Sequence, residues 1–246
     1  MARDLLAGAN LFGVCSANPV YSRYLFATNL TMPRIITNLA SIRDLTPDIL
    51  AAPGRPRILP ASYYRTTTMD ERAVFAHRHG IYGLPTVELI EWVKGVIGGR
   101  SAIEIGAGHG GLAAALGIPA TDNRMQEHPL IRAHYAATRQ PVVIYGDNVE
   151  PLDAQAAVAK YRPQVVVASW VTHVYSKDRD EAEGNMFGVD EDAILDAVDT
   201  YIFIGNTQVH APKTIWSRPH KRHEPDWVYS RAVNGSPDFV AVWDKA

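Results

Sequence analysis

The sequence predicts an α/β fold with a doubly wound, mostly parallel sheet, a carboxyl-terminal antiparallel hairpin and a mainly helical amino-terminal extension. From about residue 84 onward, short apolar runs alternate with helical patterns, which is typical of βαβ units. Within residues 102–117 a glycine-rich loop joins one apolar run to a run of helix formers. Near the end of the chain, Asn234-Gly235 separates two apolar runs and predicts a hairpin turn.

The first 83 residues have no clean hydrophobic period, and six prolines interrupt them. We expect a few short helices and a turn-rich connector in residues 1–83, followed by a Rossmann-like domain in residues 84–246. The extension suits a lid or a substrate-selecting cap, but it suits a shield for the open side of the sheet equally well. Its candidate contact residues are Tyr21, Arg23, Tyr24, Tyr63, Tyr64 and Arg65.

A helix is predicted at the start of the second part, because Val87, Ile90, Val93 and Ile97 fall near one helical face. Thr86 can cap its first turn, and the glycines after residue 97 can end it. Further helices are expected at 112–116, 129–139, 152–161 and 192–198, and strands at 101–105, 142–145, 164–171 and 201–204.

Two features set the kind of sheet that these strands form. The strand that includes residues 165–168 is an unbroken apolar run, so both of its faces must be covered, as in a parallel sheet between helices. Residues 227–233 and 238–243 are expected to pair as the terminal hairpin, with the Asn-Gly turn between them.

Composition excludes several classes of protein. The chain has 246 residues, of which 47% are hydrophobic and 20% charged, and its net charge of -2 gives no global basic field for nucleic acid. A single cysteine, Cys15, excludes an internal disulfide and a cysteine-based zinc site. Asp4 disfavours a signal peptide, and we find no apolar run of about 18 residues that would span a membrane. A cytoplasmic protein is expected.

The glycine loop matches two patterns at once. G-x-G-x-x-G, typical of dinucleotide sites, is matched by Gly106, Gly108 and Gly111. E-x-G-x-G-x-G, a pattern associated with S-adenosylmethionine, is matched by Glu104, Gly106, Gly108 and Gly110. Glycines let a backbone approach a ligand closely in both cases, so the loop alone does not choose between the two ligands.

With this loop and the predicted hairpin, residues 84–246 resemble the class I S-adenosylmethionine-dependent methyltransferases. The resemblance implies a seven-stranded sheet whose terminal hairpin places one strand antiparallel, and the hairpin favours this family over NAD-dependent Rossmann domains. It also implies that S-adenosylmethionine is the cofactor. The methionine half of the cofactor would then lie against Glu104, Gly106, Ala107, Gly108 and Gly110.

The same resemblance suggests roles for residues after the next three strands. Asp122 would hold the ribose hydroxyls, although it follows Gly111 by only 11 positions and the helix between them must be short. Asp147 and Asn148, after the predicted strand 142–145, would lie beside the adenine, or would simply cap a helix. Ser169 and Trp170 would pack against the cofactor, and the Trp170 ring would fit the core equally well.

Methyl transfer from a sulfonium needs alignment and exclusion of water, plus a base when the acceptor bears a proton. His173 and Tyr175, after the fourth strand, are the candidate bases. His109 is expected to shape the glycine loop. His210, His220 and His223 have irregular spacing and no partner Cys, so no metal site is expected.

The sequence therefore predicts a methyltransferase whose acceptor is a metabolite, a protein or a nucleic acid. Two alternatives stay open: an NAD(P)-binding oxidoreductase, which the overlapping G-x-G-x-x-G supports, and a non-catalytic scaffold that binds S-adenosylmethionine.

Overall fold

A seven-stranded sheet lies at the centre of the chain in a computed structural model that describes residues 41–138, 140–174 and 184–245. Predictions for residues 1–40, including those for Tyr21, Arg23 and Tyr24, and the prediction for Tyr175 lie outside the described residues. The strands are β1 (Leu50–Ala52), β2 (Arg55–Pro56), β3 (Gly83–Leu84), β4 (Ala102–Ile105), β5 (Ala120–Asp122), β6 (Val149–Pro151), β7 (Val165–Ser169), β8 (Thr200–Asn206), β9 (Lys221–His223), β10 (Tyr229–Ser230) and β11 (Asp238–Asp244).

The strand order of the main sheet is β6-β5-β4-β7-β8-β11-β9, and the pairs from β6 to β8 are parallel. Strand β11 runs antiparallel to both β8 and β9, with Val240 opposite Ile204 on one side and His223 on the other. The predicted fold class, a seven-stranded and mostly parallel sheet with an antiparallel terminal pair, is therefore confirmed.

The α-helices cover both faces of this sheet and the segment before it. They are α1 (Thr46–Ile49), α2 (Ala61–Arg65), α3 (Met69–Arg78), α4 (Val87–Ile97), α5 (Gly111–Leu116), α6 (Pro129–Ala137), α7 (Ala154–Tyr161) and α8 (Glu191–Ala197), with 3-10 turns at Met125–Glu127 and Thr214–Ser217.

Local sequence explains the best-defined elements. The Thr86 hydroxyl accepts a hydrogen bond from the Leu89 amide and caps α4, and Gly98 ends that helix in the left-handed region. In β7, Val166 and Ala168 pack with α7 and α8, whereas Val165 and Val167 pack with α4 and α5. The strand is thus buried on both faces, as its unbroken apolar run predicts.

The terminal antiparallel pair does not use the predicted first strand. Residues 227–233 do not pair with β11, because Tyr229 and Ser230 pair with Leu84 and Gly83 of β3. The partner that precedes β11 along the chain is β9. The side chains of Asn234 and Ser236 donate hydrogen bonds to Asn206 Oδ1 at the end of β8, over 2.8 and 2.9 Å. These bonds hold the Asn-Gly turn against β8 instead of closing a hairpin.

The predicted strand at 142–145 is also wrong. These residues form no strand, and the sheet takes β6 as its edge next to β5. Val143 donates its amide to the Gln126 side chain over 2.7 Å, and Ile144 is exposed. The segment is therefore held by a side chain outside the ladder, although its residue types favour β-structure.

The described part of the amino-terminal extension is mainly helical and has a small core of its own. Leu45, Ile49, Tyr64, Phe75 and Leu84 are buried together, with Tyr229 packed against them. The pairing of β3 with β10 connects this segment to the carboxyl-terminal part of the chain. The domain boundary before residue 84 stays a prediction. No helix in the described ranges is long and apolar enough to cross a membrane.

Candidate functional site

A cavity of about 570 Å³ lies at the carboxyl ends of the parallel strands. Gly106 after β4, Asp122 at the end of β5, Leu152 after β6 and Trp170 after β7 all line it. This edge of an open α/β sheet is where small ligands bind, and the volume is in the usual range for such sites. The cavity is therefore the candidate functional site.

The glycine loop follows the alternating pattern. Gly106, Gly108 and Gly110 have φ angles of 59°, 55° and 72°, in the region that favours glycine. A Cβ atom at Gly106 would lie 2.4 Å from Val171 Cγ1, and one at Gly110 would lie 2.5 Å from Val149 Cγ2. Gly111 has no such φ, and its Cβ would meet only the His109 ring and Pro56. The backbone thus needs the glycines of E-x-G-x-G-x-G more than the last glycine of G-x-G-x-x-G.

Glu104 lies on β4 below this loop and is buried. Its Oε2 atom accepts a hydrogen bond of 2.8 Å from the Ala113 amide. Burial raises the pKa of Glu104 to about 8, the hydrogen bond from Ala113 opposes this shift, and the charge of Asp122 adds to it. A cation in the cavity would favour the ionised form of the Glu104 carboxyl and so lower its raised pKa.

His109 shapes the loop, as expected. Its Nδ1 atom accepts a hydrogen bond of 3.0 Å from the Gly111 amide, inside the turn into α5. Burial lowers the pKa of His109 to about 4, so the ring is neutral near pH 7.

Asp122 is joined to the glycine loop. Its Oδ2 atom accepts the Gly108 amide over 2.9 Å, and its Oδ1 atom accepts the Arg124 amide over 2.7 Å. Burial raises the pKa of Asp122, and these two hydrogen bonds act against the shift. Helix α5 has only six residues, which accounts for the short spacing between the loop and Asp122. Glu104, Gly106, Ala107, Gly108 and Asp122 therefore line one cavity, whereas Gly110 is not among its lining residues.

Asp147 and Asn148 lie elsewhere. The Asp147 side chain is 95% exposed and forms an ion pair with Arg55 over 3.1 Å. Asn148 donates its side-chain amide to the Gly110 carbonyl over 3.1 Å, on the side of the loop where Val149 packs. Neither residue lines the cavity, and both precede β6 instead of following it. The contact of Asp147 and Asn148 with the adenine stays a prediction, although the strand at 142–145 on which it was based does not form.

Ser169 ends β7, Trp170 follows it, and both residues line the cavity. Their contact with a cofactor stays a prediction. Trp170 has a φ of 59°, which is uncommon for a bulky residue and is often found at functional sites. Its ring centroid lies 6.1 Å from that of Tyr82 and 5.1 Å from that of His210. Three aromatic groups therefore follow one another along this wall.

Two histidines lie on the same side of the cavity. His173, the predicted base, lines it, and so does His210. His210 is buried against Phe203 and Trp170, and its Nδ1 lies 2.9 Å from the Asn206 amide. Burial holds the pKa of His210 well below its ordinary value, and the charges of Lys213 and His173 add to the shift. In the described ranges, no three His, Cys, Asp or Glu side chains are placed to hold a metal ion.

The sequence does not reveal a second hydrogen-bonded group that lines the cavity. The hydroxyls of Tyr82 and Tyr135 are 2.9 Å apart, and Gln126 donates its side-chain amide to Tyr82 over 3.2 Å. The same Gln126 accepts the Val143 amide. Tyr82 lies more than 40 positions before Gln126 and Tyr135, so no local motif identifies this group.

Lys213 lines the cavity, and its side chain is buried. Its ammonium forms an ion pair with Glu191, which also accepts a hydrogen bond of 2.7 Å from the Tyr201 hydroxyl. Burial lowers the pKa of Lys213, and the Glu191 charge opposes that shift.

No protein-family model and no curated protein sequence matches the chain. Solved structures do resemble it. A precorrin-6y C5,15-methyltransferase from Geobacter metallireducens shares 13% identity at a TM-score of 0.34 and covers 65% of this chain and 89% of its own. A SAM-dependent methyltransferase from Agrobacterium tumefaciens shares 12% identity at a TM-score of 0.32, covering 64% of this chain and 61% of its own.

The methyltransferase domain of a bacterial CtHen1-C shares 14% identity at a TM-score of 0.32, and covers 63% of this chain and 95% of its own. Sequence identities and TM-scores this low do not extend to activity or substrate. The function has to be inferred from the cavity itself.

Proposed function

We propose that the chain is an S-adenosylmethionine-dependent methyltransferase that acts on an unidentified acceptor by in-line displacement. One observation carries the proposal: Gly106 and Gly108 adopt left-handed φ angles and line a ligand-sized cavity together with the buried carboxyl groups of Glu104 and Asp122. This arrangement offers a close backbone approach, a site for a cation and an acceptor for hydroxyl groups.

The residues present fit this cofactor. Glu104 would face the cationic end of its methionine part, and Gly106 and Gly108 would let the backbone lie close to it. Asp122 would accept hydrogen bonds from the ribose hydroxyls. Ser169 and Trp170 would form the wall beside it.

When bound, the cofactor supplies the electrophilic methyl carbon. The methyl group would pass from sulfur to the acceptor atom, and the electron pair of the bond to sulfur would stay on sulfur. The protein aligns the two partners and excludes water. When the acceptor atom bears a proton, His173 is the described residue that we assign as its base.

Two features weigh against the NAD(P)-linked alternative. A dinucleotide-binding sheet has the strand order 3-2-1-4-5-6, whereas here an antiparallel strand lies between β8 and β9. The third glycine of the dinucleotide pattern, Gly111, does not have a φ angle in the region that favours glycine.

Calorimetric titration with S-adenosylmethionine, S-adenosylhomocysteine, NAD and NADP tests the proposal. We expect both sulfur nucleosides to bind, and binding of the nicotinamide cofactors alone would overturn the methyltransferase assignment. Transfer of labelled methyl to metabolite, protein or nucleic-acid fractions then separates an enzyme from a scaffold, because a scaffold binds the cofactor without transferring the label.

The Asp122→Ala variant is expected to bind S-adenosylhomocysteine about 10- to 100-fold more weakly, since a hydrogen bond to a charged group contributes roughly 1.5–3 kcal/mol. Asp147→Ala is the matched control, because that carboxylate is exposed and outside the cavity. The affinity of Asp147→Ala for S-adenosylhomocysteine should change by less than about twofold, because exposed ion pairs contribute little. Equal losses in the two variants would restore the predicted adenine contact and contradict this assignment of the site.

Binding of S-adenosylmethionine is expected to strengthen as the pH rises toward 8. The cationic ligand favours the ionised form of Glu104, whose pKa without ligand is about 8, so binding below that pH releases a proton. The affinity should rise by up to about tenfold per pH unit and then level off. Titration of the wild type and Glu104→Gln from pH 6.5 to 8.5 isolates this effect from the ligand's own amino group. An equal slope in both proteins would refute it.

A further inference from the structure

The charged residues that line the cavity come from separate elements. Among the described residues, the acidic ones are Glu104 and Asp122, next to the glycine loop. The described Lys and Arg residues that line it are Lys213 and Arg231, which follow β8 and β10. Glu191 already neutralises Lys213. Within the described ranges, no carboxylate forms an ion pair with Arg231, so this guanidinium is the unneutralised cation of the cavity wall.

Arg231 is held in position. Its backbone amide donates to the Tyr82 carbonyl over 3.0 Å, and its guanidinium carbon lies 3.6 Å from the centroid of the Tyr82 ring. Tyr82 is fixed in turn by its hydrogen bonds to Tyr135 and Gln126. The N–H donors of a guanidinium lie in its own plane, so stacking on a ring does not cover them. They can then pair with an anion through two parallel hydrogen bonds.

The wall beside Arg231 is aromatic. Tyr82 is followed by Trp170 and then by His210, at centroid distances of 6.1 and 5.1 Å. Aromatic rings of this kind favour a flat ligand, which can stack or meet them edge to face. One unneutralised guanidinium also matches a single carboxylate better than a phosphate group, whose charge at pH 7 is about -1.5 to -2.

We propose that the methyl acceptor is a small aromatic acid, whose carboxylate pairs with Arg231 while its ring packs against Tyr82 and Trp170. The inference rests on the proposed function, since an acceptor exists only if the chain transfers a methyl group. It assigns Arg231 to recognition of the acceptor and leaves the cofactor to Glu104, Asp122 and the glycine loop.

The test is calorimetric titration with 4-hydroxybenzoate and its neutral counterpart 4-hydroxybenzamide, in the presence of saturating S-adenosylhomocysteine. The wild type should bind the acid at least about tenfold more tightly than the amide, in line with hydrogen bonds to charged groups. Arg231→Gln should remove that preference. Arg132→Gln, which alters an exposed Arg on α6 away from the cavity, should keep it.

The outcomes separate this inference from the proposed function. If S-adenosylhomocysteine binds to none of the proteins, the proposed function fails. If it binds while the acid does not, or while the acid and the amide bind equally, the acceptor inference alone is overturned. If Arg231→Gln weakens S-adenosylhomocysteine as much as the acid, Arg231 contacts the cofactor and the inference is again overturned.

Discussion

The Glu191→Ala variant is expected to lose about 3–5 kcal/mol of unfolding free energy, because it leaves a buried ammonium without a counter-charge. The side chains of Lys213 and Glu191 are only 1% and 2% exposed. Glu191 also accepts the hydroxyl of the buried Tyr201, so its removal leaves a second polar group without its partner.

Urea denaturation of two further variants checks the cause. Glu150→Ala removes an exposed partner of Lys160, where solvent screens the pair, and its loss should be far smaller. Replacing both buried partners, as in Glu191→Leu with Lys213→Met, should recover most of the stability, since no buried charge remains. A double variant as unstable as Glu191→Ala would show that shape, not charge, accounts for the loss.

Gly106→Ala is the second variant with a large expected effect. Its φ of 59° costs a side-chain-bearing residue roughly 1–2 kcal/mol, and the new Cβ would lie 2.4 Å from Val171. Overpacking of this kind typically costs about 1–3 kcal/mol more. Relief of the clash must move either the glycine loop or the segment after Trp170, so we expect the variant to lose detectable binding of S-adenosylhomocysteine as well.

Gly95→Ala provides the matched control for this substitution. Gly95 lies inside α4, has an ordinary φ, and a Cβ there would meet nothing within 4 Å. Ala in a helix interior is better than Gly by about 1 kcal/mol, so this variant should be more stable than the wild type and should bind the cofactor normally. Thermal unfolding and calorimetry of the two variants give the comparison, and a Gly106→Ala protein with wild-type affinity would contradict the role given to the loop.

The local sequence pattern was sufficient to predict a strand that is buried on both faces and a helix whose first turn is capped by the residue before it. The apolar run of β7, the Thr86 cap of α4 and the alternating glycines all depend on neighbouring residues, and each was predicted from sequence. Strand β6 was missed for the opposite reason. It has three residues, one of which is Pro151, and only its pairing with β5 makes it a strand.

The residues of the candidate site likewise form two groups, those that the local sequence identifies and those that only the tertiary fold brings together. Glu104, Gly106, Gly108 and Asp122 lie in or next to strands that the sequence locates, and all four line the cavity. Tyr82, Gln126 and Arg231 come from connections whose proximity depends on the tertiary fold, so no spacing announces them. The roles of Ser169, Trp170 and His173 stay predictions, although all three line the cavity.

The two-residue ladder between β3 and β10 has a consequence for any shortened form of the protein. It places Tyr82, which precedes the fold's first parallel strand, under Arg231, which lies about 150 positions later in the chain. Deleting residues before 84 would remove the ring on which the guanidinium rests. Such a truncation should therefore weaken binding of an aromatic acid more than binding of S-adenosylhomocysteine.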